Sequence, residues 1–185
     1  MAPRSQAVDA LVDLIGWSGR PRYIQDWTVT EKLLGLVLPQ DYKELLDTVP
    51  VGKYAGTVLL TPPTTAGEQG DLLALFREAM LRLTDGRRHP YRAYPELPGL
   101  IPWAKFSHPM GGQLFWRADR DDPDLWPVVA WGADGSWEEY DVGVAQFLTA
   151  VVDGALPGSV VSRKAGAPAY RTFQDLPGAP NNTGG

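Results

Sequence analysis

The chain has 185 residues, 44% of them apolar and 21% charged, with seven Trp, 17 Pro and no Cys. That length suits one compact domain able to bury well over half of its unfolded surface, so no disulfide or metal staple is needed. The absence of Cys excludes a disulfide framework, an iron–sulfur cluster, a thiolate zinc site and a cysteine nucleophile; two His do not make a multi-histidine metal site, and a net charge of −5 argues against nucleic-acid binding, which calls for a basic face.

Val8, Leu11, Val12 and Ile15 recur at helical spacing over residues 5–16, with Ser5 available as N-cap and Gly16-Trp17-Ser18-Gly19 as the stop. A second helix is expected from about Thr30, where Thr28-Val-Thr-Glu31 reads as a capping box. A third starts at Pro39, with Asp41 in its first turn and Tyr42, Leu45, Leu46 and Val49 as its apolar stripe. Residues 56–61 form a short β-branched strand closed by Pro62-Pro63. After a polar loop over 64–70, a helix over 71–83 carries the stripe Leu72, Leu73, Phe76, Met80 and Leu83, and an irregular Pro/Tyr/Arg stretch then runs to Gly99. Four short strands follow, at residues 100–106, 113–117, 126–131 and 136–140, with turns at 109–112, 119–124 and 133–135; consecutive strands with short turns read as an antiparallel meander. A helix over 142–152 closes the domain, with Val144, Phe147, Leu148 and Val151 as its core face and Asp141 as its cap. Beyond Pro157, Val160, Val161, Tyr170, Phe173 and Leu176 are candidates for docking on the domain, and residues 177–185 read as a disordered tail. The fold class is thus α+β: an antiparallel meander flanked by helices in one domain. The acids at Asp9 and Asp13 speak against a signal peptide, and no run is long and apolar enough for a membrane span, so a soluble, cytoplasmic protein is expected.

The charge is concentrated. Between Arg117 and Asp141 there are two basic and eight acidic side chains, a net charge of −6, so the rest of the chain nets +1. Adjacent acids such as Asp121, Asp122 and Asp124 can hold Mg²⁺ or do acid–base work, but in a turn they point apart and no calcium-loop pattern brackets them. The other readings are a solvated turn and an acidic surface that meets a basic partner. Trp103, Trp116, Trp126, Trp131 and Trp137 all lie in the meander; the ordinary reading is a core role for each. Phe115 and Trp116 are strand neighbours and face opposite sides, so one of them leaves the main core, to be covered by the C-terminal segment or to join a binding surface. His89 and His108 sit in Pro-rich connections and read as exposed loop residues, while Arg77, Arg82, Arg87, Arg88 and Arg92 read as a solvent face, with a phosphate or RNA contact as the minor alternative. Nucleophile-elbow, P-loop and dinucleotide signatures do not occur.

Four short motifs, in order, carry a resemblance. Leu38-Pro-Gln-Asp-Tyr-Lys-Glu-Leu-Leu46 is similar to an LPxDYKxLL helix, Leu100-Ile-Pro-Trp103 to an hIPhA strand, Gln113-Leu-Phe-Trp116 to a GxLhW strand, and Asp124-Leu-Trp-Pro-Val-Val129 to a DPxxWPVV element. With Trp137 and the Phe147-Leu148 helix behind them, they resemble the SUKH superfamily of yeast cell-wall-assembly regulators and bacterial immunity proteins. The resemblance spans about residues 26–154, leaving 1–25 as an N-terminal helix and linker, 155–176 as an extension and 177–185 as the tail. The Gly-rich segment after the first motif is only approximated by Val51-Gly52-Lys53-Tyr54-Ala55-Gly56.

The resemblance implies a non-catalytic protein without cofactor or metal that binds and neutralises a toxin domain encoded nearby, often a nuclease, whose phosphate-attracting site an acidic surface can occupy. The expected contacts are Asp121, Asp122, Asp124, Glu138 and Glu139, with Trp116 or Trp131 as anchor. A regulatory scaffold binding an endogenous protein or peptide is the alternative. An enzyme would require a deep pocket enclosing several of these acids with His89 or His108.

Overall fold

The computed structural model describes residues 5–19, 26–61, 72–85, 89–107, 111–119, 121–157 and 160–172. Helix α1 (Gln6–Leu14) starts at Ser5, whose side chain accepts from the Val8 N–H. Helix α2 (Trp27–Leu34) starts earlier than the capping-box pattern suggests, because Asp26 accepts from the Val29 N–H at 3.2 Å and so takes the N-cap role from Thr28. Helix α3 (Gln40–Thr48) follows directly after Pro39.

Strands β1 (Gly52–Tyr54) and β2 (Val58–Leu60) form a hairpin, followed by helix α4 (Leu72–Leu83). Strands β3 (Arg92–Ala93), β4 (Gly99–Phe106) and β5 (Gly112–Ala118) come next, then a 3₁₀ turn (Pro123–Leu125), β6 (Val128–Gly132) and β7 (Trp137–Tyr140). Helix α5 (Val144–Asp153) and strand β8 (Tyr170–Thr172) are the last elements among the described residues. The eight strands form one sheet in the order β7-β6-β5-β4-β2-β1-β8. Every pair along that path is antiparallel, and β3 adds a short parallel pairing to the start of β4. This is the expected α+β domain, a sheet flanked by helices.

The sheet is covered on both faces, and alternation along β5 divides its residues between two cores. Leu114, Trp116 and Ala118 enter the larger core with α1, α3 and α5; Phe115 enters a smaller one with Ala79 and Leu83 of α4, Leu100 and Val129. Phe115 is therefore the neighbour that leaves the main core, and α4 covers it. The apolar face of α4 is rotated from the expected stripe: Leu72, Leu75, Ala79 and Leu83 are buried. In β4 the register shifts between Pro102 and Ala104, where Pro has no N–H for the ladder, and Trp103 turns into the larger core. There it stacks on Trp116 at 5.9 Å, with Tyr42 edge-on to Trp116 at 5.0 Å and Phe147 edge-on to Trp103 at 6.0 Å.

Asp141 is not the cap of α5. Gly143 holds the N-cap position, and the carboxylate that accepts from the Ala145 N–H, at 3.0 Å, belongs to Asp41 of α3. A Cβ on Gly143 would lie 2.7 Å from that carboxylate, so a side chain there would push the carboxylate from its place. Burial raises the Asp41 carboxyl above its ordinary range, against the backbone hydrogen bonds that favour its charge.

The C-terminal segment is stitched to the sheet. The Val160 N–H donates to Glu138, Val161 is buried, the Thr57 hydroxyl donates to the Ser162 carbonyl at 2.6 Å, and β8 pairs with β1. The polar loop over 64–70, His108, Phe173, Leu176 and the 177–185 tail lie outside the described residues.

Candidate functional site

The turn between β6 and β7 is closed by the Gly132 N–H to the Ser136 carbonyl at 2.8 Å and by Asp134, which accepts from both the Ser136 N–H at 3.0 Å and its hydroxyl. Those hydrogen bonds hold the Asp134 carboxyl below its ordinary range, so it is ionised. The resulting register sets Trp131 directly opposite Trp137. Their rings stack with centroids 5.0 Å apart and planes 5° from parallel, and both residues are only half-buried.

The α4 side of the sheet builds a corner around this pair. The Arg82 guanidinium lies 4.6 Å from the Trp131 ring centroid, His89 is edge-on to both indoles, Tyr91 lies 5.2 Å from Trp137, and Phe115 stacks beneath Trp137. His89 was expected to be an exposed loop residue; its side chain is instead 8% exposed, with Nε2 3.6 Å from an Asp85 carboxylate oxygen. Between the end of α4 and the β6–β7 turn is a cavity of about 400 Å³, lined by Arg82, Asp85, Trp131 and residues 132–135. The Trp131 ring already carries the Arg82 guanidinium within the chain, and Asp85 and Asp134 add to the cavity wall carboxylates that suit a cationic side chain.

The acidic window does not form one surface. Asp119, Asp121, Asp122 and Asp124 lie at one end of β6 and Asp134 at the other, with roughly 15 Å of strand between. Several acids have internal work. Asp124 accepts from the Gln40 N–H at the start of α3, and Asp122 from the Asp124 N–H of the 3₁₀ turn. Arg117 bridges Asp119 at 2.6 Å and Glu139 at 3.0 Å, while Glu139 also accepts from the Tyr91 hydroxyl. Glu138 accepts from Tyr140 and from the Val160 N–H. Asp121 is exposed and has no such role among the described residues.

Of the two anchor candidates, Trp131 stands at the cavity and Trp116 does not reach the surface. Trp116 is 1% exposed in the main core, so its role as an anchor is corrected: strand alternation turns it toward α3 and α5. Trp126, beside the acidic loop, is also buried at 8% exposure. Asp85 and Tyr91 were not singled out, and Arg82 was expected on a solvent face rather than against Trp131, because the approach of α4 and β3 to the β6–β7 hairpin leaves no mark in local periodicity. Among the described residues no group of three or more His, Asp or Glu side chains converges as a metal site, and no helix is long and apolar enough to cross a membrane.

Comparison with known proteins finds no matching family model, no matching curated protein and no matching solved structure.

Proposed function

We propose that this is a non-catalytic protein-binding domain whose partner docks on the corner formed by the end of α4, β6 and β7. Following the SUKH resemblance, the partner is a toxin domain encoded nearby, neutralised by stoichiometric binding. The observation that carries the reading is the half-buried Trp131–Trp137 stack, whose Trp131 lines the cavity together with Asp85 and Asp134. Soluble domains ordinarily bury such rings, and Trp is favoured as an anchor at protein interfaces when ringed by polar groups. The carboxylates favour a partner that presents Lys or Arg, and their attraction accelerates encounter at low salt.

The test is titration of the purified toxin domain from the neighbouring gene against the wild type and Asp85→Lys/Asp134→Lys, at several salt concentrations. Both carboxylates line the cavity, whereas Asp121 stands at the far end of β6. The expected result is a one-to-one complex whose association slows in the variant and loses much of its salt dependence. Equal affinity and equal salt dependence in both proteins reject the surface, and a chromosomal locus with no toxin gene favours the scaffold alternative.

A further inference from the structure

At the opposite edge of the sheet from β7, a second groove carries the reverse charge. It has a volume of about 350 Å³ and is lined by Lys53, Gly56, residues 164–168 and Arg171, with three cations and no acid. Its floor is made of tight turns. Gly56 has φ +71°, and a Cβ there would lie 2.6 Å from the Ala167 Cβ and 3.1 Å from the Lys164 Cβ, so the β1–β2 turn and the 164–167 turn pack backbone to backbone. The Lys164 N–H donates to the Ala55 carbonyl and the Ala55 N–H to the Ala169 carbonyl, which fixes one turn against the other.

The placement of the charges is unfavourable unless an anion joins them. Lys53 and Arg171 are directly opposite each other in the antiparallel β1–β8 ladder, where like charges repel. The same cross-strand row continues through Leu59 to Lys105, and there the cation is matched: Lys105 lies 3.4 Å from Glu78 of α4. Lys43 is likewise paired with Glu31 and Arg92 with Glu96. Lys53, Lys164 and Arg171 have no ion-pair partner among the described residues. In a chain of net charge −5, this places on one small groove three cations that no described acid matches.

We propose that the Lys53–Lys164–Arg171 groove is an anion site for a compact phosphate ester. Arg171 offers the planar fork that fits phosphate oxygens and the two ammonium groups add charge. The volume is at the small end of the range for small-molecule sites, which favours one phosphorylated metabolite-sized ligand over a polypeptide or nucleic-acid strand.

The full chain is titrated with inorganic phosphate and with ribose 5-phosphate at fixed ionic strength, with binding read by NMR shifts and by melting temperature. Saturable binding of the ester at one site is expected, at least as tight as inorganic phosphate and weakened about tenfold or more in Lys53→Gln/Arg171→Gln. Without ligand the double variant should melt at or above the wild type, since the opposed charges are gone; with ester, only the wild type should gain. Three results overturn the proposal: no saturation, equal binding by a folded double variant, or tighter binding of a Glu-rich peptide or single-stranded RNA than of the ester.

Discussion

On the sheet face covered by α1, α3 and α5, Trp103 and Trp116 are 0% and 1% exposed and stacked on each other between Tyr42 and Phe147. On the face covered by α4, Trp131 and Trp137 stack more closely, yet both remain half-buried. The strands and their alternation are common to both faces; the helices laid over them differ. Helices α1, α3 and α5 close the first face into a core, joined by Leu34 of α2 and by Leu72 and Leu75 of α4. The later part of α4, at Ala79 and Leu83, covers the second in part, leaving indoles beside carboxylates at one edge and the Lys53–Lys164–Arg171 groove at the other. Aromatic content alone therefore does not distinguish packing from presentation, whereas the covering layer does.

Substitutions on the two faces should separate these roles. Trp116→Ala removes a fully buried ring from a close-packed site and should lower the unfolding free energy by about 3–5 kcal/mol, measured by urea denaturation. A loss near 1 kcal/mol would mean the two faces are alike. Trp131→Ala loses a ring stack and a cation–π contact on a partly solvated surface and should cost about 1–2 kcal/mol, leaving the fold intact by circular dichroism. Asp41→Ala leaves the first turn of α5 uncapped and should cost about 0.5–2 kcal/mol by the same denaturation assay.

Asp41 also gives the three-helix face a pH signature. Its folded carboxyl keeps its proton to higher pH than in the unfolded chain, where 3.8 is the ordinary value. The folded state therefore holds the extra proton between the two values, and Asp41 makes stability fall as pH rises through that window. Asp41→Asn keeps an acceptor for the Ala145 N–H and should flatten this part of the stability–pH curve; an unchanged slope would remove Asp41 from the explanation. The smallest effect is expected at the exposed β6–β7 turn, where Asp134→Ala should leave the urea-denaturation midpoint nearly unchanged.

Much of this architecture is legible in the residues. Ser5 caps α1 as read, the meander strands fall within a residue or two of their expected places, and Val144, Phe147, Leu148 and Val151 form the buried face of α5. Strands β1, β3 and β8 escape because two or three residues are too short to display a period, and they exist only through their partners. The Asp41 cap escapes because it joins residues 104 positions apart. At the candidate site, Trp131 and the acids are visible in the sequence, but their separation along β6 and the placement of Arg82, Asp85 and His89 around the indoles arise only when α4 docks.

The central assignment, that the α4-covered face carries the binding corner, is tested most directly by measuring the Kd of folded Trp131→Ala for the toxin domain beside the wild type, with urea denaturation on both. A loss of affinity of about tenfold or more, with only a small loss of stability, is expected for a half-buried anchor. An unchanged Kd in a folded Trp131→Ala protein contradicts the assignment.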